Sequence, residues 1–401
     1  MQRDIRVSRR FALRAAAAAV AGASLLPLSA QAQDTLKIGL IIPMTGPFAS
    51  TGRQVNAAVK LFLAQNPGLV AGKKVEVLLK DDAGVADTTR RLAQELVVND
   101  KVTVLAGFGL TPLAFSTAPI ATQSKTPMVV MCAATSSITE KSPFIVRSGF
   151  TVPQITTGIA DWSATKGKVK KVVTLVSDYG PGIDAEKTFT ERFTAGGGTV
   201  VTALRVPMAN PDFAPFLQRV RDAAPDGVFV FLPSGPGGSF MKQFSERGLA
   251  KAGIRLLTTG DVMDDDLLND MGDAALGVIS SHHYSAAHPS AVNKAFVEAF
   301  EKANNGMRPN FHAVGAYDGM HLIFEGLKAT KGAGGEALLN AMRGQSWESP
   351  RGPLSIDPAT RDAVENVYVR KVERVAAQGN QLFNVEFETV TAVRDPGKAG
   401  K

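Results

Sequence analysis

Residues 102–138, VTVLAGFGLTPLAFSTAPIATQSKTPMVVMCAATSSI, carry the groups whose types and spacing best suit a small anion. The run reads as strand, glycine turn, helix, strand and polar turn. Gly107-Phe108-Gly109 leaves backbone amides uncovered, and Thr111-Pro112 reads as an N-cap followed by proline at the first helical position. Ala133-Ala134-Thr135-Ser136-Ser137 reads as a second helix start. Two helix N-termini at the carboxyl ends of neighbouring parallel strands direct N–H groups and positive dipole ends into one crevice, which suits a carboxylate. Ordinary capping without a ligand accounts for the same residues.

Other strand ends offer further chemistry. Ser177-Asp178-Tyr179-Gly180-Pro181-Gly182 closes an apolar run, and residues 180–185 match G-x-G-x-x-A. Proline between the glycines and the lack of an acidic residue after the next strand argue against a dinucleotide, so Tyr179 reads instead as a ring closing over a ligand. Leu232-Pro-Ser-Gly235-Pro-Gly-Gly238 lacks the lysine of a phosphate loop, leaving a tight turn or a close backbone approach at Gly235. Asp261 is a lone carboxylate at a strand end, placed to meet a ligand ammonium. Asp264, Asp265 and Asp266 read as the acidic first turn of a helix. His282, His283 and His288 read as a loop cluster, since no zinc-site spacing surrounds them. Cys132, the single cysteine, sits in an apolar run and reads as a buried inert thiol. No metal and no cofactor is expected.

The elements that position these groups alternate. Apolar strands at 36–42, 74–79, 102–105 and 127–131 are separated by helices whose apolar residues recur at helical spacing, such as Val55, Ala58, Val59, Phe62 and Leu63. Residues 144–147 break the rhythm and read as a crossing. The alternation then restarts through helices at 154–165, 184–194, 212–223 and 238–247, with strands at 171–176, 199–206, 227–232, 254–258 and 277–281. Helices at 291–304, 313–329 and 336–342 precede three extended stretches at 349–356, 364–375 and 382–390. The pattern predicts an α/β protein with parallel sheets covered on both faces.

A chain of 401 residues is long enough for about two domains. Its N-terminus combines Arg9-Arg10, an apolar run at 15–28 and Ala30-Gln31-Ala32, the order of a twin-arginine-like signal peptide cleaved after about Ala32. Removing residues 1–32 takes away five arginines and one aspartate. That leaves 39 basic and 36 acidic residues, a net charge of +3. With no basic block remaining, nucleic-acid binding is not expected.

The chain resembles the Leu/Ile/Val-binding type of periplasmic solute-binding protein, the receptor component of an ABC importer. Lys37-Ile-Gly-Leu with Thr45-Gly-Pro, then Lys80-Asp81-Asp82, carry the likeness. It continues through Ala133-Ala134-Thr135, Ser177-Asp178-Tyr179-Gly180 and Ser349-Pro-Arg-Gly-Pro353. The resemblance implies two doubly wound parallel-sheet lobes joined by three crossing segments, with a ligand cleft between them. It places residues 33–147 and 282–351 in the first lobe, and 148–281 and 352–401 in the second. It implies a periplasmic, monomeric, non-enzymatic receptor that closes on a small carboxylate and delivers it to an ABC permease in the inner membrane. An exported two-domain hydrolase and a ligand-sensing module of the same fold are the alternatives. Carried over residue by residue, ligand contacts fall on Ser50, Thr51, Thr111 with its neighbours such as Phe108, and Tyr179, with Ala133 and Thr135 holding a carboxylate; Gly235 joins them as a candidate from its strand-end turn alone. Asp261 takes the acidic position that holds an ammonium in amino-acid binders. The loop at 109–113 has fewer hydroxyls than amino-acid binders carry, so a branched-chain amino acid and an aromatic carboxylate stand as nearly equal expectations.

Overall fold

The computed structural model describes residues 35–208 and 211–398, so the expected signal peptide and its cleavage point lie outside the described residues. The first lobe is built on β1 Thr35–Ile42, β2 Lys74–Asp81, β3 Val104–Gly107, β4 Met128–Val130 and β5 Ile145–Arg147. All neighbours in the order β2-β1-β3-β4-β5 run parallel. Helices α1 Ala49–Gln65, α2 Ala86–Val98 and α3 Thr111–Ser124 make the crossovers. Burial on both faces explains why β3 and β4 are apolar throughout rather than alternating. The stretch expected to be a crossing begins with β5, which completes this sheet, and the chain leaves for the second lobe only after Arg147.

The second lobe starts with α4 Val152–Ala164, which carries a complete capping box between Thr151 and Gln154. Its parallel strands are β6 Lys171–Ser177, β7 Thr199–Val206, β8 Gly227–Phe231, β9 Arg255–Thr259 and β10 Ile279–His282. They are connected through α5 Gly180–Ala195, α6 Ala214–Asp222 and α7 Gly237–Glu246. Stacked Phe189 and Phe229, with ring centroids 4.1 Å apart, pin α5 to β8. The chain then returns to the first lobe as α8 Ala291–Ala303, α9 Phe311–Ala329 and α10 Gly335–Met342. There Phe62 of α1 meets Tyr317 and Phe324 of α9 edge-on.

Four antiparallel strands finish the larger sheet: β11 Ser346–Ser349, β12 Gly352–Ile356, β13 Ala363–Val375 and β14 Gln381–Val393. The order is β11-β12-β13-β10-β9-β8-β6-β7, with β14 on β13. β11 and β12 form one hairpin whose turn holds Arg351. The Arg351 side chain is fully buried where the lobes meet. Nε lies 2.9 Å from Asp318 of α9, and Nη1 lies 2.7 Å from Glu365 of β13. Nη1 and Nη2 also donate to the carbonyls of Gly149 and Ser148 in the segment between β5 and α4.

Candidate functional site

The carboxyl ends of the parallel strands in both lobes face one another, the position where open α/β sheets build their sites. Between them lies a small cavity of about 30 Å³. The first lobe contributes Phe48 and Thr51 from the start of α1, Leu110 and Thr111 from the start of α3, and Cys132, Ala133 and Ala134 after β4. The second contributes Tyr179 and Pro181 after β6, Phe231, Pro233 and Ser234 after β8, and Asp261 after β9. Phe150 of the crossing segment and His312 of α9 complete the wall, in which no lysine or arginine appears.

Five expected site residues, Thr51, Thr111, Ala133, Tyr179 and Asp261, line this cavity. Thr135 stands just behind it, its hydroxyl accepting a 3.0 Å hydrogen bond from the Thr111 hydroxyl. Ser50, Phe108 and Gly235 are elsewhere. Ser50 donates to Asp266, Phe108 is wholly buried in the core, and Gly235 lies in a surface groove beside Met241 and Met271. The Ala133 amide, expected to hold a carboxylate, donates instead to the Phe108 carbonyl.

Local geometry corrects the expected caps. Thr111 is the first helical residue of α3 and Leu110 is its N-cap, with no side chain capping the helix. The reason is the approach from β3. Gly107 and Phe108 take φ of 108° and 68°, which turns the chain a residue earlier and frees the Thr111 hydroxyl for Thr135. Helix α5 begins at Gly180 rather than Asp184, with Tyr179 as N-cap and again no side-chain cap. The turn after Ala134 leads into a short 3-10 segment, Ser136–Lys141, not an α-helix. Three uncapped N-termini therefore meet at the cavity, α1 and α3 from the first lobe and α5 from the second, and each brings a positive dipole end to it. Arg147 braces this wall, donating to the carbonyls of Thr135 and Phe150.

The histidines are not a loop cluster. His282 and His283 are fully buried, and Phe150 lies 4.9 and 4.8 Å from their rings. His288 stands apart, paired to Glu386 of β14 at 2.9 Å. Burial lowers His282 to about 4; Asp261 opposes the shift, while Arg370 and Arg351 add to it. Burial lowers His312 to about 3. His282 Nε2 is 3.5 Å from Asp261 Oδ2, too long for a good hydrogen bond, and neither atom has a hydrogen-bond partner in the protein. Burial and the Asp261 charge push the Tyr179 hydroxyl well above its ordinary value. Burial raises the Cys132 thiol too, so it remains protonated and unreactive.

A stability measurement reads the His282 environment. Its folded value lies below the ordinary 6.5, so between pH 6.5 and 4 the unfolded chain binds more protons and stability falls as pH falls. In urea unfolding of ligand-free protein, the loss between pH 7 and 5 should be smaller in His282→Phe than in the wild type. The expected difference is about 2 kcal/mol. Parallel pH curves for the two proteins would contradict this.

The three aspartates after Asp261 lie in a turn, not a helix. Asp264 accepts from Ser234 at 2.9 Å and from Asn310 at 3.1 Å, and Asp265 accepts from Asn384 at 3.1 Å. Asp266 reaches the other lobe, accepting from Ser50 and Gln54 of α1, each at 3.1 Å.

The family model described as "Periplasmic binding protein" matches residues 35–380. This chain belongs to the periplasmic binding protein family. The binding protein is 45% identical over 377 residues to Leu/Ile/Val-binding protein homolog 6 of Brucella abortus, covering 93% of this chain and 96% of that one. It is 61% identical to a solute-binding protein of an ABC transporter from Rhodopseudomonas palustris BisB5, solved in complex with 3,4-dihydroxybenzoic acid. The TM-score is 0.89, covering 92% of this chain and 100% of that one. A second R. palustris solute-binding protein, solved with 4-hydroxybenzoate, is 42% identical with a TM-score of 0.88 and the same coverage. The binding protein is thus an ABC-transporter solute-binding protein of the Leu/Ile/Val-binding type.

Reading the sequence did not find Phe48, Phe150, Phe231, Ser234 or His312. Ser234 sat in the glycine-rich strand end already singled out. His312 had a signal in Asn310, whose side chain accepts from the His312 and Ala313 amides and caps α9. The three phenylalanines look like core residues in the sequence.

Proposed function

We propose that this protein is the periplasmic receptor of an ABC importer and that it captures a benzoate-class aromatic carboxylate by hinge closure of its two lobes. It then hands the solute, chemically unchanged, to a permease in the inner membrane. The observation that carries the reading is the cavity wall: the aromatic side chains of Phe48, Phe150, Tyr179 and Phe231 line it, while uncapped α3 and α5 offer positive helix ends. Aromatic walls favour a flat ring by stacking and edge contacts, and helix N-termini favour its carboxylate. The solved relatives carrying hydroxybenzoates support the same class. Lobes formed by 35–147 with 283–345, and by 148–282 with 346–398, would rotate about the three segments between them. The receptor acts as a monomer, without nucleic acid and without catalysis.

A branched-chain amino acid is the second reading. It is supported by the unpartnered Asp261 carboxylate and by the name of the Brucella relative. A thermal-shift and calorimetric series on residues 33–401, refolded to strip carried-over solute, separates the two. At a concentration 100 times Kd, benzoates should stabilise the protein by about 2.7 kcal/mol, and leucine should leave the melting curve unmoved. A response to leucine with none to any benzoate would overturn the proposal.

A further inference from the structure

We propose that Asp261, with His312 beside the same cavity, reads a hydroxyl on the ligand ring, so that the cleft selects phenolic benzoates over benzoate itself. The inference rests on the aromatic-carboxylate reading above and names the residue that sets selectivity within that class.

Asp261 is only 5% exposed and its Oδ2 has no hydrogen-bond donor. The Nδ1 of His312, itself 6% exposed, is likewise without a partner. Both residues line the cavity. A buried carboxylate oxygen without a donor is costly, and natural sites satisfy such groups. The buried Arg370 guanidinium acts on the Asp261 charge but donates its hydrogen bonds elsewhere, to the Tyr284 carbonyl and the Ser280 hydroxyl. The wall lacks lysine and arginine, and the His282 ring nitrogen facing Asp261 is 3.5 Å away, too long for a good hydrogen bond. Nor is the carboxylate placed to hold an anionic ligand group, which it would repel. The remaining source of a donor is the ligand.

A phenolic hydroxyl matches what is left. It donates one hydrogen bond, which Asp261 accepts, and it accepts one, which a neutral imidazole donates. The ligand carboxylate then belongs with the groups that favour negative charge, the start of α3 with the Thr111–Thr135 hydroxyl pair and the start of α5. A ring lacking the hydroxyl leaves Asp261 unpaired inside the closed cleft. Sites built around a ligand hydroxyl reject analogues lacking it far more strongly than apolar pockets reject a missing methylene.

The test is calorimetric titration of mature wild type, Asp261→Ala and Asp261→Asn with 3-hydroxybenzoate, 4-hydroxybenzoate, 4-methylbenzoate, benzoate and leucine. Wild type should bind the better hydroxybenzoate at least 100-fold more tightly than benzoate. 4-Methylbenzoate, which fills similar space without a donor, should behave as benzoate does. In Asp261→Ala the preference should shrink to within threefold, through weaker hydroxybenzoate binding and tighter benzoate binding. Equal wild-type affinity for benzoate and the hydroxybenzoates would overturn this inference and leave the aromatic-carboxylate reading intact. So would a preference that survives Asp261→Ala. Binding of leucine with no benzoate bound would remove the reading beneath it and assign Asp261 to an ammonium. The wild-type series decides the matter even if neither variant folds.

Discussion

Replacing Arg351 with methionine should destabilise the folded protein by about 3–5 kcal/mol, the usual cost of leaving a buried charge without its partner. The guanidinium holds Asp318 and Glu365 at once, all three side chains being essentially inaccessible. Ser349 and the Trp347 indole also donate to Asp318, and the Tyr368 hydroxyl donates to the Arg351 carbonyl, so the substitution strips the centre from a connected network. Burial pushes the Glu365 carboxyl up to about 8 while the Arg351 charge opposes the shift, as expected where one cation serves two acids. Adding Asp318→Asn and Glu365→Gln to Arg351→Met should recover most of the loss, because the penalty lies in the orphaned acids. Urea denaturation of the single and triple variants checks both statements. A single-variant loss below about 1 kcal/mol would show that the network is inert.

Gly182→Ala should weaken ligand binding at least tenfold and lower stability by about 1–3 kcal/mol. A Cβ at this position would lie 1.8 Å from the Ser177 carbonyl oxygen and 2.9 Å from its carbon, backbone atoms that no rotamer change can move. The same oxygen accepts from the Tyr179 amide at 2.9 Å. Relieving the clash therefore opens the turn that sets both Tyr179 and the first turn of α5. Gly238→Ala is the matched control. It lies near the start of α7, a Cβ there meets nothing within 4 Å, and alanine suits a helix better than glycine. Its affinity should equal wild type. Equal affinities across wild type and both variants, measured by titration with 4-hydroxybenzoate, would sink the argument.

The same turn shows what a sequence can and cannot convey. Residues 180–185 imitate a dinucleotide fingerprint, yet the glycines serve packing. Gly182 lets the helix meet its strand, and a Cβ on Gly180 would sit 2.6 Å from the Thr135 hydroxyl of the opposite lobe. The repeating β-α order was legible because sheets covered on both faces demand apolar strands and one-sided helices. The strand ends that line the cavity were legible for the same reason, since glycines, prolines and hydroxyls mark where strands stop. The aromatic wall was not. Phe48, Phe150 and Phe231 differ from core phenylalanines only in what the fold brings opposite them. His282 and His283 misled because burial of a polar pair is decided by Phe150 and Phe311, which are distant in the chain. Asp266 misled because its donors, Ser50 and Gln54, come from the other lobe.

Those Asp266 contacts join the two lobes through residues outside the cavity wall. Under hinge closure they contribute the same free energy whichever solute is enclosed. Dwell time and absolute affinity can then drift by substitution at Ser50 or Gln54, while the ranking of competing solutes stays with the cavity. A lineage meeting scarcer or richer supplies of its nutrient has here a gain control separate from its choice of nutrient.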